Sequence, residues 1–186
     1  MRRAFWGLGL PVLLQVACGG GTPDGRTPGR PLPPYTGQAV ELFDDGLEPN
    51  AVGYPLEQGA APMTDNRLRE RTQTGDAVVR ARVVTVTSKQ EDQGRSWQIG
   101  MHTLERLAGT GPLEQDFTVT VPSTAPAAGI VHAFEGKLIG STFVAFVREF
   151  ERPRAPGDSD LHFHLAVDSK DEVQAVKSAV LLDQVR

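Results

Sequence analysis

The sequence predicts an α+β fold: about five antiparallel strands forming a curled sheet or a small barrel, preceded by a helical segment and followed by a docked C-terminal helix. Three observations carry the prediction. Runs dense in β-branched or alternating apolar residues succeed one another from Asp76 to Val167, separated by loops of hairpin size. The chain's end has a legible helix start, because Ser169 and Glu172 have capping-box spacing and Val173, Val176 and Val180 then recur on one face. Composition is ordinary for one globular domain, 39% hydrophobic and 23% charged over 186 residues.

The elements follow in order. Ala39 to Asp45 places Val40, Leu42 and Phe43 in a short helical stretch that Gly46 ends, and a Gly- and Pro-rich loop follows to Pro62. A helix from Thr64 to Thr72 has Asp65 near its start and Leu68 as its clear core contact. Asp76 to Thr87 is the strongest strand signal. Val79, Ala81 and Val83 share one face, while Val84 and Val86 shift to the other, as a bulge or a strand shared by two surfaces produces. Trp97 to Leu104 and Phe117 to Val121 are the next strands, separated by the turn segment Ala108 to Pro112. Ser141 to Phe150 has an all-apolar centre and reads as a buried strand. Leu161, Phe163, Leu165 and Val167 alternate with His162, His164 and Ala166, which predicts an amphipathic strand with the histidines outward. A helix, a long bent strand after Gly75 and Asp76, and four further strands resemble a small OB-like barrel over Asp76 to Val167, roughly half the chain.

The amino terminus is built differently. Arg2 and Arg3 form a positive region, Ala4 to Val16 an apolar stretch of 13 residues, and Ala17 a small residue before Cys18, which together read as a signal peptide over residues 1–17. The only cysteine stands where the apolar stretch ends. These residues resemble the precursor of a bacterial envelope lipoprotein, and the resemblance implies that the Cys18 thiol is acylated, as with palmitate, and becomes the first residue of the mature chain. The sequence departs from the usual pattern in carrying Gln15 three places before the cysteine, with Leu14 one place earlier. An uncleaved signal anchor or a plain secretory signal is the other reading. Gly19 after the cysteine, where lipoproteins kept in an inner membrane often have Asp, implies the outer membrane, on its periplasmic or surface face. Of 20 Gly and 14 Pro, eleven fall between Gly19 and Gly37, so residues 18–37 read as a lipidated cysteine and its tether, and residues 38–186 as the globular domain.

Function is less legible. A single Cys excludes a disulfide framework and a cysteine zinc cage, and a net charge of −4 gives no field that draws nucleic acid. There is no G-x-S-x-G elbow, phosphate-binding loop or H-E-x-x-H. Gly157-Asp158-Ser159 is similar to the nucleophile block of GDS-type esterases but lies in a polar loop late in an antiparallel domain, where chance explains it better. His162 and His164, at i and i+2 of a strand, can reach one Zn²⁺ or Cu²⁺ together, with Asp160 on the same face. A catalytic zinc would need a third ligand, from His102, His132 or a carboxylate elsewhere. Arg67, Arg69, Arg71, Arg80 and Arg82 form a local basic excess, and Arg80 and Arg82 share a strand face that could take an anionic glycan or the acidic patch of an envelope protein. The leading expectation is therefore a membrane-tethered, non-enzymatic binding or scaffold module with no cofactor and no nucleic-acid partner. The alternative is a small metal-dependent or serine hydrolase centred on His162, His164 and Asp160.

Overall fold

In the computed structural model, residues 31–54, 60–92, 94–152 and 158–185 are described. The signal segment, Cys18 and most of the tether lie outside them. Packing divides the chain into Met1–Pro31 and Leu32–Arg186. The second unit runs α1 (Gln38–Leu42), β1 (Gly46–Leu47), α2 (Asn66–Thr74), β2 (Ala77–Glu91), β3 (Gly94–Ala108), β4 (Asp116–Val121), α3 (Ala128–Leu138), β5 (Thr142–Glu151), β6 (Ser159–Val167) and α4 (Lys170–Gln184).

The β-branched run forms β2, which pairs antiparallel with β3 along its length and with β5 over Ala77–Arg82. The sheet has six strands in the order β1-β6-β5-β2-β3-β4, antiparallel throughout except that β1 lies parallel to β6. Its two edges, β1 and β4, do not join, so it is an open sheet and no closed barrel, which is consistent with the expected curled sheet. The predicted slip in β2 is real. Register shifts fall between Val78/Val79, Arg80/Ala81 and Val83/Thr85. The last shift turns Val84 out, 46% exposed, and returns Val86 to the core side with Val79, Ala81 and Val83. The bulge thus keeps the apolar set on one surface.

Each sheet surface has its own core. One gathers Val79, Ile99, Met101, Val119, Phe143 and Phe163 under α3, which the sequence reading did not anticipate. The other packs Val78, Val144, Phe146, Phe150 and Ala166 against α1, α2 and α4. Ser169 caps α4 as predicted, its Oγ accepting from Glu172 N at 3.1 Å. The inward stripe of α4 is Glu172, Ala175, Val176 and Ala179; Val173 and Val180 are only half-buried. Short side chains there let the helix lie close to its neighbours.

The folded region also starts before Gln38. Pro33 O accepts from Glu151 N at 3.0 Å and Pro34 bridges to Glu151, so the end of the expected tether lies along β5. Tyr35 then donates its O–H to Phe43 O at 2.6 Å. No helix among the described residues is long and apolar enough to cross a membrane.

Candidate functional site

Two polar constellations can be built from the residues upward, one buried and one exposed. The buried one begins where α1 ends in Asp44-Asp45-Gly46. Asp45 takes the left-handed region at φ 52, a conformation that short polar Asp tolerates better than most side chains. Its N–H donates to Phe163 O at 2.9 Å, and its Oδ1 accepts from Phe163 N at 3.2 Å. Gly46 has no room for a side chain, since a Cβ there would stand 2.5 Å from the Asp44 carboxylate. With Gly46 opposite His164 and Leu47 opposite Leu165, β1 lays both carboxylates against β6.

Each histidine of β6 is held by its own acid. His162 Nδ1 lies 2.9 Å from Asp45 Oδ2, and its ring stacks on Tyr35 at 3.5 Å between centroids and 12° between planes. His164 Nδ1 lies 2.8 Å from Asp44 Oδ1, while its Nε2 stands 3.5 Å from Glu48 Oε1, within ion-pair reach but without a hydrogen bond among the described residues. These rings do not face solvent as the alternation predicts. His164 is only 8% exposed, because α1, α2 and α4 cover the sheet surface on which it stands.

Electrostatics follow the geometry. Burial pulls the His164 pKa down, but the bond to Asp44 and the nearby Glu48 carboxylate outweigh that and raise it above the ordinary value. Burial pushes Asp44 up, yet the bond to His164 and the charges of His164 and Arg71 leave it below the usual carboxylate range. Arg71, expected in a solvated basic cluster, is buried; its Nε donates to Leu42 O at 2.7 Å, and desolvation lowers its pKa. Burial, with Asp45 and Asp44 nearby, pushes the Tyr35 phenol up to about 12.

Asp160 does not join the histidines. It receives Arg152 Nε at 3.1 and 3.0 Å on its two oxygens, and this bond lowers its pKa. No group of three or more His, Cys, Asp or Glu among the described residues could hold a metal ion. His102 stands apart from the pair, its Nδ1 2.6 Å from Asp116 Oδ1, and His132 sits on α3 beside Trp97. Ser159 begins β6, and Gly157 lies outside the described residues.

The exposed constellation separates Arg80 from Arg82. Arg80 binds Asp168 through Nε at 2.8 Å and Nη2 at 2.9 Å, and Glu105 through Nη1 at 3.4 Å. It is a tie between β2, β3 and the start of α4. Arg82 is exposed, opposite His102 in the β2–β3 register, and makes no ion pair among the described residues. The groups sequence reasoning missed are Tyr35, Asp44, Asp45 and Glu48. Asp45 and Asp44 lie 117 and 120 positions from the histidines they hold, so no local spacing reveals them.

No protein-family model, curated protein or solved structure matches the chain.

Proposed function

We propose that the protein is a lipid-anchored, non-enzymatic envelope module that acts through contacts with an envelope protein or an anionic glycan, at the outer membrane. The order of the first 37 residues carries this reading: a positive start, an apolar stretch, the chain's only cysteine, then a run rich in Gly and Pro. Two observations favour a module over the hydrolase alternative. His162 and His164 are held by different carboxylates, Asp45 and Asp44, and Asp160 is paired with Arg152, so among the described residues the three do not converge on one centre as the hydrolase reading requires. The open surface of β2, β3 and β4 offers Arg82 beside His102 and Asp116, and an OB-like use of the sheet would place the contact there.

Crosslinking in intact envelopes, with identification of what is captured, tests the proposal. A defined envelope protein or glycan whose capture weakens on Arg82→Ala supports it. Hydrolysis of a chromogenic ester by the purified chain, abolished by His162→Gln, would favour the enzyme.

A further inference from the structure

Glu172 occupies the third helical position of α4, where a capping box would turn its carboxylate back to the Ser169 amide. That amide is already spent on Val167 O at 3.0 Å, so only half the box forms. The Glu172 side chain turns inward instead, and the residue is 5% exposed. Its carboxyl makes no hydrogen bond or ion pair among the described residues. Its oxygens keep only a thin contact with solvent, so ionising them there is still costly, and protonation is the ordinary escape.

The surroundings reinforce this. Facing Glu172 are Glu48 after β1, Asp65 at the N-cap of α2, Arg71 on α2 and His164 on β6. Glu48 and Asp65 oppose its ionisation, while Arg71 and His164 favour it less strongly, because Arg71 is shared with Asp44 and Glu48, and His164 is engaged by Asp44. On α4 itself, Asp171 adds a further acid in the first turn, and Lys177 is turned to Glu105 of β3 at 3.4 Å. Asp168, just before the helix, is bound to Arg80. Arg71 and His164 are the cations that act on Glu172, and burial with the two acids outweighs them.

We propose that α4 is a pH-dependent latch, docked on the sheet while Glu172 is protonated and loosened from Leu68, Val78, Val144 and Phe146 when it ionises. Desolvation, then Glu48 and Asp65, push the Glu172 pKa from its ordinary 4.5 to about 7. The folded pKa is the higher one. The stabilisation is therefore complete below about pH 4.5 and is lost as pH rises through about 7. The latch stands independently of the proposed function, since it rests on Glu172 and the groups of α2, β6 and the β1 end that surround it.

Hydrogen–deuterium exchange on the full chain in detergent, at pH 5.5 and pH 8 and corrected for intrinsic exchange, tests it. The opening constant of α4 amides should rise about 20- to 30-fold between the two, as one linked proton requires, while β2–β5 amides change less. Glu172→Gln should remove most of that rise, and Glu172→Met, which also carries no charge, should do the same if the Gln variant folds poorly. Equal opening of wild-type α4 at both pH values would overturn the proposal. So would either folded variant keeping the wild-type pH dependence.

Discussion

Replacing His164 by Ala should be expensive, and more so in mild acid than in mild alkali. The ring holds Asp44 at 2.8 Å and faces Glu48 at 3.5 Å, so its removal strips a charge-assisted hydrogen bond worth about 1.5–3 kcal/mol. Both carboxylate side chains are about one-third exposed, 32% and 33%, and water would recover part of that, which argues for the lower half of the range. The imidazole also packs beside Phe146 at 6.5 Å between centroids, and truncation would leave a void costing roughly 1 kcal/mol more. The total is about 2–4 kcal/mol, or roughly 5–15 °C in Tm for a domain this size. Because the folded-state pKa of His164 lies above 6.5, its pairing contributes fully below that value and fades as pH rises. Urea unfolding of the full chain and of His164→Ala at pH 5.5 and pH 8.5 reads both effects. A loss below about 0.5 kcal/mol, or the same loss at both pH values, would show that the two acids do not hold the ring.

Val176, fully buried on α4, should cost roughly 1–3 kcal/mol as Val176→Ala, whereas Lys177→Ala, one end of an exposed pair with Glu105, should cost under about 1 kcal/mol. Equal small losses in thermal melts would mean that α4 is undocked. Gly109 sits at φ 77, and a Cβ there would strike Asp76 O, so Gly109→Ala should destabilise by about 2 kcal/mol or more. A melt unchanged from wild type would refute the turn geometry. A chain beginning at Gln38 should melt below one beginning at Leu32, because it lacks the Tyr35 bond to Phe43 O and the stack on His162. Identical melts would return residues 32–37 to the tether.

The legible parts of the fold are those whose signal is local. The strands β2 to β6 each carry their own alternation or apolar run, and the α4 cap depends on residues three apart. Two elements escaped because their stability comes from elsewhere. With only Gly46 and Leu47, β1 exists because β6 pairs with it. The helix α3 contains Gly129 and Gly136 and has a weak apolar stripe, so burial of Val131 and Leu138 against the sheet holds it where propensity would not. The histidines illustrate the same limit. Period-two alternation says that two faces differ, and it is silent on whether the second face is also covered. In β6, Phe163 and Leu165 meet one core while His164 and Ala166 meet the other side's helices. Arg71 went astray similarly: its stem lies in a helix rich in arginine, yet the Leu42 carbonyl draws it inside.

The central claim, that the module is tethered to a membrane through Cys18, is tested most directly by metabolic labelling with a radioactive fatty acid in a Gram-negative host. The wild type should take up label and partition with membranes, since several acyl chains are needed for stable anchoring. Cys18→Ser should lose both the label and the membrane association, while its folded domain melts as the wild type does. Undiminished label on Cys18→Ser, or a wild type that carries none and stays soluble, would contradict the account.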